Sequence, residues 1–232
     1  MNNSKTSHQF PVAVEIGKVR VFALSLDWPG WTRRGKDEHQ ALETLFAYAP
    51  RYKRAINSSQ LEFQVPTDIK TFKVVEQLTG NATTDFGAPD IPPTVDQTPI
   101  DAPTLKRFNA ILNAILDNFV KTVTSANGKS LKKGPRGGGR TVQEIVDHVV
   151  INHYNYLRRI NWRERHEKFQ DIEEIISAIK LANENALTLA ASNEMPKEGP
   201  RGGKIWYPRY FVRRAAWHIL DHTWEIEDKI ES

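Results

Sequence analysis

The feature that most constrains the fold is a run of four apolar stripes at helical spacing in the second half of the chain. The stripes run from Leu105 to Val120, Val142 to Ile160, Ile172 to Leu187 and Phe211 to Ile230. Asp101 precedes the first stripe as a helix-start signal. Amphipathic helices in this number and order bury their stripes best against one another. The pattern therefore predicts an up-down four-helix bundle.

The first part of the chain has a different period. Residues 12–16 and 19–25 alternate around a turn at Gly17 and Lys18, as in a β-hairpin, and 72–78 resembles a third strand. Residues 37–47 carry helical spacing. We therefore expect an α+β two-domain protein: a small α+β domain at 1–80, a linker or wrapping segment rich in Pro, Asp and Thr at 81–101, and the bundle at 102–232.

Composition narrows the chemistry and the partners. The chain has 39% apolar and 26% charged residues, a formal charge of +4 and no cysteine, so histidines and carboxylates are the protein ligands left for a metal. Acidic residues are interleaved with the basic clusters and no nucleic-acid recognition motif is present, which argues against a nucleic-acid partner. Without an apolar membrane segment or secretory signal, we expect a cytoplasmic protein with no membrane partner.

One five-residue string, Gly-Pro-Arg-Gly-Gly, occurs twice, at 134–138 and 199–203. Each copy precedes a helical stripe, and in an up-down bundle the two loops lie at the same end. A glycine loop beside a helix N-terminus favours an anion, and an arginine there adds a cation. We predict that Arg136 and Arg201 bind the anionic group of a substrate. The alternative is that they form salt bridges at helix starts.

The fourth stripe contains the spacing most typical of a metal site. His218 and His222 are four residues apart, so they project from one helical face, with Glu225 near its edge. A third ligand must come from another helix, and the second stripe offers two candidates. Periodicity favours His153 at the centre of the stripe, whereas His148 lies toward its edge. The alternative is that these histidines are hydrogen-bonded core residues.

Two parts of the chain resemble known families. The stretch Leu26–Lys36 (LDWPGWTRRGK) and the helix after it resemble HicB-like domains. That resemblance implies a small α+β module that binds a partner. The stretches Thr141–His148 (TVQEIVDH), Tyr156–Arg159 and Arg213–His222 (RRAAWHILDH) resemble the second and fourth helices of the DinB-like superfamily, which includes mycothiol-dependent isomerases.

The DinB-like resemblance implies a bundle with a three-histidine site for nickel, zinc or iron, open to water or a low-molecular-weight thiol. It favours His148 as a ligand over His153, because the family's metal-binding histidine on the second helix corresponds to His148.

The register of the fourth helix stays open. If His218 takes the first place of the family's histidine pair, His222 completes the triad, and Asp221 and Glu225 become the residues that orient the ligands. If His222 takes that place, the second falls at Ile226, and the pocket is left for anions.

Three functions follow in order of preference. The first is a divalent-metal-dependent transferase, isomerase or hydrolase acting on a small anionic or thiol-conjugated substrate. The second is a non-catalytic anion-binding or stress-associated module, in which the HicB-like unit recruits a partner. The third is a nucleic-acid-associated regulator that uses the basic clusters. A bundle face left apolar after packing would make the protein a homodimer.

Overall fold

The structure, a computed structural model, describes residues 9–133, 139–163, 171–192, 198 and 203–231. The chain is α+β and divides into two units. The first comprises the residues up to Arg54 and Glu62–Val95. The second comprises Ala55–Leu61 and the residues from Asp96 onward.

The first unit is built on a four-stranded mixed sheet. The strands are β1 (Phe10–Ile16), β2 (Val21–Ser25), β3 (Thr32–Gly35) and β4 (Phe72–Thr79), in the order β3-β2-β1-β4. Strands β1 and β2 form the predicted antiparallel hairpin, and β4 is parallel to β1. The sequence did not predict β3, because this short strand carries two arginines and lacks the apolar alternation that identifies strands.

Helix α1 (Glu38–Ala55) is fixed to the sheet by contacts with the turn between β2 and β3. Trp31 is fully buried, and its indole N–H donates to the carbonyl of Leu45. Tyr52 stacks on Trp31 and donates its hydroxyl to the carbonyl of Pro29. Because Tyr52 is an anchor, the helix continues through Pro50 and extends beyond the predicted end at residue 47.

The segment predicted as a linker at 81–101 divides between the two units. Residues 81–95 wrap the first unit and include a short helix, α2 (Ala82–Phe86). The buried carboxylate of Glu15 accepts hydrogen bonds from the Thr84 hydroxyl and from the backbone N–H groups of Asp90 and Ile91. Burial raises the pKa of Glu15, and these hydrogen bonds oppose the rise. The change from the first unit to the second at Asp96 therefore falls inside the segment predicted as a linker or wrapping segment.

The second unit contains the four predicted long helices. They are α3 (Ala102–Ser125), α4 (Val142–Arg159), α5 (Ile172–Ala191) and α6 (Pro208–Lys229). Asp101, Thr141 and Asp171 cap α3, α4 and α5, each accepting a backbone N–H of its helix with its side chain. Both α3 and α4 pack against both α5 and α6, so the four helices share one core. Within the described residues, each helix is too short or too polar to cross a membrane.

A buried ion pair holds the start of the second unit against α6. The Asp96 carboxylate accepts two hydrogen bonds from Arg213, from Nε at 2.9 Å and from a terminal nitrogen at 2.8 Å. The side chain of Asp96 is fully buried and that of Arg213 is 5% exposed. Two parallel hydrogen bonds fix the geometry of the pair as well as its charge.

We predict that Asp96→Asn lowers the free energy of unfolding by about 3–5 kcal/mol, because it leaves the Arg213 charge buried without its carboxylate. The matched control is Asp117→Asn. Asp117 forms a more exposed pair with Lys180, where the loss should stay under about 1 kcal/mol. Urea denaturation at pH 7 measures both variants. Equal losses would show that burial does not set the strength of the Asp96 pair.

Candidate metal centre

Helices α4 and α6 bring three histidines together. Thr141 and Glu144 form a capping box that fixes the start of α4, and His148 follows less than two turns later. His218 and His222 lie one turn apart on α6 and are 7% and 8% exposed. His148 is half-buried. One side of the cluster is therefore accessible from outside, while the other is closed by α6.

The three imidazole rings lie close together. One ligand nitrogen from each ring can be chosen so that all three lie within 4.8 Å of one another. The Nε2 atoms of His148 and His218 are 3.2 Å apart. At that distance one nitrogen donates a hydrogen bond to the other, or both face a common cation. Nitrogen ligands of a tetrahedral zinc ion, each about 2.0–2.1 Å from the metal, lie about 3.3 Å apart. The donor set suits a divalent ion, and the spacing of the His148 and His218 nitrogens matches that of two of its ligands.

A carboxylate orients His222. Glu225, less than one turn further along α6, accepts a hydrogen bond from His222 Nδ1 with its Oε2 at 2.8 Å. Because Nδ1 donates to this carboxylate, Nε2 is the atom of His222 that is left for a metal. Arg140 donates to the same oxygen at 2.7 Å, and Lys229 donates to Oε1 at 2.8 Å. Glu225 thus links the ligand His222 to two cations.

Other side chains surround His148 and His218. The amide of Asn152 donates to the carbonyl of His148 and lies 3.3 Å from its Nδ1. The Tyr156 ring stands edge-on to His218, with centroids 5.5 Å apart. The Arg214 guanidinium lies over the rings of Tyr156 and Trp217. These contacts restrict the rotation of His148 and His218.

The electrostatic environment favours neutral imidazoles, the form that binds metals. Burial lowers the pKa of His218 well below its usual value, and the neighbouring His222 and His148 lower it further. Burial, His222 and Arg140 also lower the pKa of His148. Burial alone would raise the pKa of Glu225, but the hydrogen bonds from His222 and Lys229 and the charge of Arg140 bring it down to about 2. Glu225 is therefore ionised at neutral pH.

The structure places His153 away from this cluster. It is 1% exposed on α4, and its Nε2 lies 2.7 Å from the Asn183 side-chain oxygen on α5. A position at the centre of the apolar stripe faces the bundle core, whereas the edge position of His148 faces α6. Periodicity therefore identified a core histidine, and the resemblance identified the member of the cluster.

The other predicted site residues have different placements. Glu225 contacts a histidine of the cluster, as expected for an orienting residue. Asp221 is half-buried on α6, one residue before His222. Arg136 and Arg201, predicted to bind an anion, lie outside the described residues.

Sequence reasoning did not identify Arg140, Asn152 or Lys229 as neighbours of the site. Asn152 and Lys229 each follow a site residue by four positions on the same helix, a spacing that could have pointed to them. Arg140 is 82 or more residues from its partners. Only the three-dimensional packing brings it to His222.

Comparison with known protein families, with curated proteins and with solved structures found no match for this chain. The HicB-like and DinB-like resemblances therefore stay predictions.

We predict that His153 makes the protein less stable in acid. Burial lowers its pKa to about 4, partly opposed by the Asn183 hydrogen bond, whereas the unfolded value is about 6.5. Between these pH values the unfolded chain binds a proton that the folded chain does not, so stability is full above pH 6.5 and falls toward pH 4. By pH 4.5 the loss amounts to about 2–3 kcal/mol.

The test compares metal-free wild type with His153→Leu/Asn183→Leu, which removes both partners so that neither is left buried without the other. Urea denaturation from pH 7.5 to 4.5 should show a shallower loss in the double variant by about 2–3 kcal/mol. His218 contributes in the same direction in both proteins, so most of its effect cancels from the comparison. Identical pH profiles of the two proteins would show that His153 does not cause the loss of stability in acid.

Proposed function

We propose that this chain binds a divalent metal ion through His148, His218 and His222 and is a metal-dependent transferase, isomerase or hydrolase. The observation that carries the proposal is the convergence of three ring nitrogens from two helices, with two of them 3.2 Å apart. Imidazole nitrogens suit zinc, nickel and iron. These are also the metals that the DinB-like resemblance implies.

The burial of the three ligands supports a catalytic use of the metal. Structural zinc sites have four protein ligands, whereas catalytic sites have three and keep one position open. His148 is half-buried while its two partners on α6 are buried, so a small molecule can approach from the side of α4. A metal held here would supply Lewis acidity, which lowers the pKa of a coordinated water or thiol.

The residues around the ligands prepare the site. Glu225 accepts the hydrogen bond of His222 Nδ1, which leaves Nε2 of that ring for the metal. Arg140 and Lys229 keep that carboxylate ionised and in place. Losing the carboxylate that orients a ligand histidine, here Glu225, typically lowers metal affinity 10- to 100-fold. The conformational entropy of the ligand side chains is therefore lost during folding and not when an ion binds.

The substrate class follows from the charge around the site and from the family resemblance. Arg140 contacts Glu225 beside His222, and Arg214 lies close enough to His218 to lower its pKa. The positive charges of these two arginines favour substrates with a carboxylate, a phosphate or a thiolate. The DinB-like resemblance adds a low-molecular-weight thiol as cosubstrate. We therefore propose a small anionic or thiol-conjugated substrate.

The test measures metal content in untagged protein by elemental mass spectrometry after growth with added zinc, nickel and iron. Wild type is expected to hold close to one ion per chain. His148→Ala, His218→Ala and His222→Ala should each lose most of it, because two imidazoles bind far more weakly than three. His39→Ala is the matched control, since His39 is exposed on α1 and should leave the content unchanged.

The His153→Leu/Asn183→Leu variant decides between the two histidines of α4 and should retain its metal. Metal-loaded wild type is then assayed for thiol transfer to an electrophile and for thioester hydrolysis, with His218→Ala as the blank. Turnover that depends on His218 supports an enzyme. Metal binding without such turnover contradicts the enzymatic part and favours a non-catalytic binding role. Equal metal content in all variants contradicts the site itself.

A further inference from the structure

A small cationic cavity lies beside the metal centre. It has a volume of about 210 Å³ and is formed by the loop after α3 and the start of α4. Its described lining includes Lys129, Lys133 and Arg140 and no acidic residue. Pockets for drug-sized ligands occupy about 300–1,000 Å³. This cavity therefore suits a single small charged group.

The walls of the cavity are attached to the helix that carries two of the histidines. The backbone N–H of Lys132 donates to the carbonyl of Lys229 at 2.7 Å, and the N–H of Glu231 donates to the carbonyl of Ser130 at 3.0 Å. Leu131 and Ile230 form an antiparallel bridge between these two hydrogen bonds. The loop that contributes Ser130 and Leu131 is thus held against the end of α6 by backbone contacts.

Arg140 belongs both to the cavity and to the surroundings of His222. Its Nη2 lies 2.7 Å from Glu225 Oε2 and 3.4 Å from His222 Nδ1. A guanidinium has five N–H donors, and both of these contacts use the same nitrogen. The side chain is 37% exposed. Arg140 can therefore contact a ligand in the cavity while it stays next to His222.

We propose that this cavity binds a small anion, a carboxylate or phosphate-type group, and that Arg140 couples its occupancy to the metal centre. Anion binding is inferred from the cavity alone, whereas its coupling to the metal centre rests on the proposed function. Lys129 and Lys133 supply charge, and Arg140 adds planar donors that match two oxygens of the anion.

The sign of the coupling follows from a shared acceptor. Arg140 and His222 both donate to Oε2 of Glu225. An anion that attracts Arg140 leaves more of this carboxylate to His222, which makes the ring a stronger metal ligand. The bound anion also offsets the positive charge of the neighbouring basic side chains, which would otherwise repel the metal ion. Bound anion should therefore raise metal affinity, and by reciprocity bound metal should raise anion affinity by the same factor.

The experiment titrates sulfate, as a probe for a phosphate group, and acetate, as a probe for a carboxylate, into metal-free protein by calorimetry at constant ionic strength. At least one anion should bind, and the stronger one identifies the class. Lys129→Gln/Lys133→Gln should weaken that binding about tenfold or more. Lys121→Gln/Lys132→Gln removes the same charge from exposed positions outside the cavity and should change it less than twofold.

Nickel titrations in the presence and absence of saturating anion measure the coupling. We expect nickel affinity to rise about fivefold in wild type and not in Lys129→Gln/Lys133→Gln, whose metal ligands are intact. If neither anion binds, or if both lysine double variants weaken anion binding equally, the proposed anion site is wrong. Cavity-dependent anion binding without any nickel binding would instead overturn the proposed function and the coupling, and would support the anion site by itself.

Discussion

Helix α6 is buried along most of its length, and this burial governs how the second unit is built. Every residue from Tyr210 to Leu220 is buried, including two arginines and His218. A buried polar group without a hydrogen bond or an opposite charge is costly, so each of these side chains needs a partner inside the protein. Arg213 forms an ion pair with Asp96 just before α3, and the ring of His218 contacts that of His148 on α4. The histidine cluster is one of the ways in which α6 satisfies its own polar groups.

Charge balance in the histidine cluster favours a cation. Three imidazoles close together repel one another if they are protonated, and burial disfavours the charged form of His218 and His148. The negative charge nearby belongs to Glu225, which stays ionised because His222, Lys229 and Arg140 donate to it. The result is a histidine cluster with a fixed anion next to His222. This arrangement suits a divalent cation.

The helices could be predicted from sequence because burying one stripe of a helix imposes a visible period, and β3 could not because its residues carry no such period. The same rule limits what periodicity says about the site. It selects residues that face the core, and it therefore pointed to His153, which contacts Asn183 in the bundle interior. The cluster residue His148 lies at the edge of its stripe. The position of Arg140 beside Glu225 depends on packing between distant parts of the chain, and local sequence patterns do not predict such contacts.

X-ray absorption spectroscopy of zinc-loaded, untagged protein tests the central claim most directly, because it observes the ligands of the metal. The account predicts three imidazole nitrogens at about 2.0–2.1 Å, with the remaining coordination completed by the oxygen of an exchangeable water. It also predicts that the spectrum of His222→Ala loses one of these imidazoles or that the zinc is no longer retained. One imidazole or none in wild type, or an unchanged spectrum in the variant, would contradict a metal centre formed by His148, His218 and His222.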